Sequence, residues 1–294
     1  MAQRAAIFGS AGQLGVELAR VFRNAGFTIL ALTRGDVDIT NAAQVEQRLA
    51  GFDPDLVLNS AAYNQVDVAE KEPQAAYLVN GLAVRNLALA CRQLDARLIH
   101  FSTDYVFDGS ATRPYTETDP VHPLSAYAVS KLAGELYAQA YLETPLIIRT
   151  SGVFGPGGLR TARGNFIELM LRLATGEQTI RVVEDHVASP TYAPALAERT
   201  LALVQGGHHG TFHAGGGAAI SWYEYAKLIF RQAGLEPQLQ ATNEREYRTA
   251  ARRPKYSALS NAKMDAAGIQ PMPPLDAAVR DYLARRAVTS AGPL

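Results

Sequence analysis

Tyr127 and Lys131 stand four residues apart in the stretch HPLSAYAVSKLAGE. On a helix, that spacing puts both side chains on one face. A free phenol titrates at about 10, too high for ready proton exchange at neutral pH. An ammonium beside it favours the phenolate and lowers that value. The pair therefore has the makings of a tuned general acid/base. The plainer alternative is a surface helix that carries an aromatic and a cation. Ser102-Thr103-Asp104-Tyr105 closes a short apolar run upstream. A hydroxyl there would hold a substrate carbonyl against the phenol, so that hydride added to the carbonyl carbon is matched by a proton from Tyr127.

For this chemistry both groups must reach the cleft above the carboxyl ends of parallel strands, where open α/β sheets bind ligands. The elements for such a sheet are legible. Apolar runs predict strands over 5–9, 27–33, 54–62, 96–103 and 145–155. Between them, helical spacing predicts helices over 13–26, 42–52, 73–95 and 126–142. Alternation of this kind, with strands apolar throughout, argues for a parallel sheet covered on both faces. Right-handed crossovers make it a Rossmann-type, doubly wound α/β fold. After residue 155 glycine and proline become frequent, and the reading is a smaller C-terminal lobe that binds substrate. The expected division is 1–155 for a dinucleotide and 156–294 for substrate, with strands near 179–216 returning to the first part.

Gly9-Ser-Ala-Gly12-Gln13-Leu14-Gly15 follows the first strand and opens the first helix. Glycines there let backbone approach a pyrophosphate, and a helix N-terminus offers it unpaired N–H groups. A mere tight turn is the alternative. The second strand ends in Thr33-Arg34, where an acid would hold a ribose 2′-hydroxyl and repel a 2′-phosphate. Threonine followed by arginine favours NADPH over NADH, although Arg34 also reads as an idle surface cation. Asp38 and Ile39 follow where the chain can pass under an adenine. Ala61, Ala62 and Tyr63 close the third strand with room for a dinucleotide, and Lys131 completes the expected cofactor set.

The 294 residues carry 28 basic and 28 acidic side chains. That balance gives no basic excess for nucleic acid or an anionic membrane, and makes a small molecule the expected partner. The single cysteine, Cys91, excludes an internal disulfide and reads as a buried thiol. No apolar stretch approaches the roughly 18 residues of a membrane span, and the expected location is the cytoplasm.

The glycine turn with YAVSK resembles the extended short-chain dehydrogenases/reductases. The strings DVAEKEPQAAYLVN, STDYVFDG, ETDPVHPLSAYAVSKLAGE, RTSGVFG, VVEDHVASPTYAPALA and ARRPKYSAL, in order along nearly the whole chain, are similar to the dTDP-4-dehydrorhamnose reductase family. That resemblance implies NADPH-dependent reduction of the 4-keto group of a dTDP-linked 6-deoxy-hexose, with Thr103, Tyr127 and Lys131 as the catalytic set. It implies substrate contacts at Thr103, Asp104, Tyr105 and Gly152, and at Arg253, whose guanidinium fork suits a diphosphate. Dehydratases of this fold carry Thr-Asp-Glu where this chain has Thr103-Asp104-Tyr105, so simple reduction fits better. The departures are specific. Gly152 stands where the family has a sugar-packing tryptophan, His186 replaces a glutamine, and Ala128 and Ala188 replace glycines. A family glutamate matching Glu17 takes part in Mg²⁺-supported dimerisation. No second acid pairs with it here, so a homodimer is admitted and no metal is expected. Another nucleotide sugar is an alternative substrate. A non-catalytic NADP-binding regulatory subunit, like the methionine adenosyltransferase beta subunit, is the alternative role.

Other residues invite chemistry and are read as structural. His208, His209 and His213 lie in a glycine-rich turn without a carboxylate or thiol at ligand spacing. Trp222 and Tyr223 read as packing residues, and Asp67 and Glu70 as charges that stabilise the positive end of a helix. His186 is open between bonding a ligand and bonding backbone. Arg160 and Arg163 read as solvated loop charges, with a phosphate contact as the alternative.

Overall fold

The computed structural model describes residues 2–160 and 164–290. The strands are β1 (Arg4–Phe8), β2 (Thr28–Leu32), β3 (Leu56–Asn59), β4 (Arg97–Thr103), β5 (Leu146–Thr150), β6 (Ile180–Val183), β7 (Val187–Ala188), β8 (Gly210–Ala214), β9 (Ile220–Ser221) and β10 (Leu239–Thr242). Among the described residues, six parallel strands build the main sheet in the order β2-β1-β3-β4-β5-β8. Successive strand side chains alternate between the two faces. Ala5 and Ile7 accordingly join one buried cluster and Ala6 and Phe8 the other. Both faces are covered, which is why β1 has no polar alternation.

The helices of the first part are α1 (Gln13–Asn24), α2 (Ala42–Phe52), α3 (Val66–Ala69), α4 (Pro73–Tyr77), α5 (Ala83–Leu94) and α6 (Ala126–Tyr141). The Asn41 side chain caps α2 by accepting from the Gln44 amide, and Ser125 caps α6 by accepting from the Ala128 amide. The single helix expected over 73–95 is interrupted: a π-helical segment, Leu78–Leu82, separates α4 from α5. The reason is tertiary. The extra residue swings Asn80 inward, where its amide bonds the Tyr63 backbone and donates to Ser130 Oγ on α6 at 3.0 Å.

The later helices are α7 (Phe166–Leu173), α8 (Ala193–Gln205), α9 (Trp222–Ala233), α10 (Ala262–Ala266) and α11 (Leu275–Ser290). Of the strands expected near 179–216, β8 enters the main sheet beside β5, whereas β6 pairs with β10 in a separate parallel ribbon.

Candidate active site

The strand order reverses between β1 and β3, so a crevice opens at their carboxyl ends, with Phe8 paired to Asn59. The glycine turn lies in that crevice. Gly9 has φ +76°, and a Cβ there would lie 2.6 Å from the Ala61 nitrogen. A Cβ on Gly15 would run into the Gly9 carbonyl and lie 2.7 Å from Ser10 Cα. Gly12 begins α1 without a side-chain cap, which leaves the first amides of the helix open to an anion. This bare, tightly wound backbone fits a pyrophosphate. Gln13 and Leu14 have only backbone to add. The Gln13 side chain donates to Val153 O and accepts from Gly155 N and Asn165 Nδ2, and Leu14 is packed in the core.

At the rim of β2, Thr33 gives both its amide and its hydroxyl to the Asp36 carboxylate, at 2.8 and 2.6 Å. Those bonds hold the Asp36 carboxyl below its ordinary range. Asp36 was not singled out from the sequence; it lies three residues beyond the position where an acid was sought. Arg34 is exposed, and its charge reaches Asp38, whose carboxylate accepts from the Thr40 amide and hydroxyl. Ile39 is half-buried against the core and its carbonyl accepts from Asn86. Ala61 and Ala62 remain partly or fully exposed beside the turn, and Tyr63 is held by Asn80 and by Glu72.

At the end of β4 the proton-transfer groups assemble. Thr103 is paired across the sheet with Thr150; its hydroxyl donates to Asp104 Oδ1 and accepts from the Tyr105 amide, each at 3.2 Å, and it favours the ionised form of Tyr127. Lys131, one turn along α6, is 3% exposed and its Nζ donates to the Phe101 carbonyl at 2.6 Å. The expectation of an acidified phenol is corrected here. Burial pushes the Tyr127 hydroxyl up, the Thr103 hydroxyl opposes that rise, and the Asp104 and Tyr105 charges add to it; Lys131 is not among the causes. A phenol held this way keeps its proton at neutral pH and yields it to a stronger base formed beside it, such as an alkoxide. Lys131 moves the other way: burial lowers it to about 8, and the Glu135 charge opposes the fall.

Glu135 was missed in the sequence, although Tyr127, Lys131 and Glu135 form one stripe four residues apart. It is 1% exposed, its oxygens accept from Arg149 Nε at 3.0 Å and Nη2 at 2.7 Å, and Ser102 Oγ donates to it. A buried anion thus stands behind the buried ammonium.

Asp104 is buried and its carboxylate accepts from Ser151 Oγ at 2.7 Å, Ser257 Oγ at 2.5 Å and Thr103 Oγ1 at 3.2 Å. Burial raises it to about 6, against the lowering effect of the three hydroxyls. It therefore ties the end of β4 to the end of β5 and to the 250s segment. Tyr105 stacks edge-on against Tyr127, with centroids 6.1 Å apart, and lies within the influence of the Arg253 charge. The Arg253 fork is filled by Asp67, at 3.0 and 2.7 Å, and Asp67 also accepts from the Ala251 amide. Asp67 stands in the first turn of α3 and is in addition the partner of Arg253. Glu70 accepts from Ala126 N at the start of α6.

Gly152 has φ +49°, and a Cβ there would lie 3.2 Å from Trp222 Cη2. An indole therefore stands beside residue 152 after all, supplied from the start of α9. Trp222 also packs on Phe166, centroids 4.7 Å apart, as its structural reading required. Cys91 is buried and its thiol is pushed up to about 12. His213 is a buried packing residue whose Nδ1 meets the Tyr115 carbonyl. Arg160 closes a 3₁₀ turn, Pro156–Arg160, and Arg163 lies outside the described residues.

A model of the family described as RmlD substrate binding domain matches residues 3–288. The spore coat polysaccharide biosynthesis protein SpsK of Bacillus subtilis is 40% identical, covering 95% of this chain and 96% of its own. A dTDP-4-dehydrorhamnose reductase of Streptomyces griseus is 38% identical, covering 90% and 88%. The crystal structure of dTDP-4-dehydrorhamnose reductase from Bacillus anthracis in complex with NADP superposes with a TM-score of 0.91 at 33% identity, over 97% of this chain and 99% of that one.

Proposed function

Since this chain belongs to the RmlD substrate binding domain family, we propose that it is a reductase converting the 4-keto group of dTDP-4-dehydro-L-rhamnose to the alcohol of dTDP-L-rhamnose with NADPH, NADH being the weaker alternative. Residues 1–155 hold the dinucleotide and residues 156–294 the sugar nucleotide. The turn through Gly9, Gly12 and Gly15 takes the pyrophosphate on backbone amides, and Thr33 and Arg34 meet the adenosine end. Bound NADPH supplies a hydride to the carbonyl carbon.

The remaining work falls to side chains. Thr103 holds the carbonyl oxygen beside Tyr127. As the C=O bond becomes C–O⁻, the Tyr127 O–H gives its proton to that oxygen, and the product is an alcohol. The phenolate left behind is reprotonated from solvent. Arg253 takes the diphosphate in place of Asp67, because two forked phosphate oxygens compete for the same donors. Among the described residues, no helix is long and apolar enough to cross a membrane. We place the enzyme in the cytoplasm, as a homodimer.

The observation that carries this reading is the gathering of Thr103, Tyr127 and a buried Lys131 at the end of β4, where the Thr103 hydroxyl favours the ionised form of the phenol. The test is NADPH oxidation with enzymatically prepared dTDP-4-dehydro-L-rhamnose and identification of the product. Turnover to dTDP-L-rhamnose supports the proposal. Tight NADPH binding without turnover on any 4-keto sugar nucleotide would favour a regulatory subunit. The placement of Trp222 beside Gly152 favours one second reading, a different hexose, which a panel of 4-keto sugar nucleotides would reveal.

A further inference from the structure

The two parallel strands of the smaller ribbon, β6 and β10, run side by side with Val183 opposite Thr242. Just beyond their carboxyl ends, Asp185 and His186 on one side meet Glu244 on the other. An imidazole nitrogen and an oxygen from each carboxylate lie within 4.8 Å of one another. The Asp185 carboxylate faces the second turn squarely, with both oxygens 3.2 Å from the Glu244 amide. His186 is 7% exposed, and its Nε2 is buried without a hydrogen-bond partner. An imidazole in that position lacks a partner that a metal would provide.

The charges nearby are accounted for. Lys255 Nζ stands 3.5 Å from Glu244 and 3.9 Å from Asp185, on a side chain that is 59% exposed and free to swing outward. Arg253, the other cation that acts on His186, is engaged by Asp67. Burial lowers the His186 imidazole from its ordinary range, against the Asp185 and Glu244 charges. The carboxylates remain partly exposed, at 29% and 40% for the side chains, which leaves a way in from solvent.

We propose that Asp185, His186 and Glu244 form a divalent-cation site that clamps the ends of β6 and β10 together, with Lys255 as the cation it displaces. One imidazole and two carboxylates suit Mn²⁺ or Zn²⁺ better than Ca²⁺ or Mg²⁺, which prefer all-oxygen shells. The proposal does not rest on the reductase reading.

The chain carries its own reporter. Trp222 is the single tryptophan, and its amide donates to the His186 carbonyl at 3.1 Å. The test titrates Mn²⁺ into the full chain and follows the free-ion electron paramagnetic resonance signal, Trp222 fluorescence and the melting temperature. One Mn²⁺ per chain is expected, with quenching of Trp222 and a higher melting temperature. Asp185→Asn, His186→Asn and Glu244→Gln should each weaken binding at least about tenfold. Lys255→Met should tighten it, and this arm removes no ligand, so it stands even where another variant folds poorly. His208→Asn with His209→Asn should leave it unchanged. No stoichiometric binding, binding that survives the three ligand substitutions, or binding that follows the His208–His209 pair would overturn the assignment.

Discussion

Glu135→Gln is the substitution that probes the buried charges most sharply. Glu135 and Arg149 pair with side-chain exposures of 1% and 7%, and Lys131, 3% exposed, is one helical turn from the carboxylate. The amide keeps the shape and removes the charge, so two buried cations lose the buried anion they share. Breaking one buried pair by removing a partner costs about 3–5 kcal/mol, and that is the expected loss in urea unfolding. The same change acts on Lys131. Its ammonium is held near about 8 by burial against the opposing pull of Glu135, so without that pull it falls further. The alkaline limb of the NADPH-affinity profile should therefore move to lower pH in the variant. Replacing the pair together, Glu135→Leu with Arg149→Met, should restore most of the stability, since an apolar pair of similar volume avoids the desolvation cost. A loss below about 1 kcal/mol, with the alkaline limb unmoved, would refute the coupling of this pair to the ammonium.

The other predictions rest on single contacts. In the wild type, NADPH affinity should fall as pH rises through about 8, because Lys131, part of the expected cofactor set, then loses its charge; an affinity unchanged to pH 10 would contradict this. Gly15→Ala puts a methyl against Gly9 and Ser10 backbone, and should weaken NADPH binding at least about tenfold in a fluorescence titration. Gly152→Ala places a side chain at φ +49° against Trp222 and should cost about 1–2 kcal/mol in urea unfolding. Cys91, whose thiol burial pushes up to about 12, should resist a thiol reagent in the native state and react only on unfolding.

Much of the sheet was legible because its strands are apolar on both faces and its helices keep strict spacing. β1, β2 and β4 lie within a residue or two of where the apolar runs put them. What escaped depends on contacts between distant segments. The π segment at Leu78–Leu82 exists to turn Asn80 toward Tyr63 and Ser130, and no local pattern encodes it. The pairing of β6 with β10 crosses some sixty residues, so β6 read as a strand without revealing its neighbour. At the site, Tyr127 and Lys131 were legible from spacing, and Glu135 was available in the same stripe. The pull on Tyr127 was not, because it depends on how deeply the ring is buried and on where Lys131 Nζ points, which is to the Phe101 carbonyl. Asp67 was legible as a helix-end charge, but its claim on Arg253 comes from a segment far along the chain.

The central claim is tested most directly by steady-state turnover of Tyr127→Phe with NADPH and dTDP-4-dehydro-L-rhamnose, alongside its NADPH affinity. The ring and its packing against Tyr105 survive in that variant, and only the hydroxyl is lost. Loss of the proton donor predicts a kcat at least about 100-fold lower, with the NADPH dissociation constant changed by no more than about twofold. A kcat within about threefold of the wild type would contradict the role given to Tyr127.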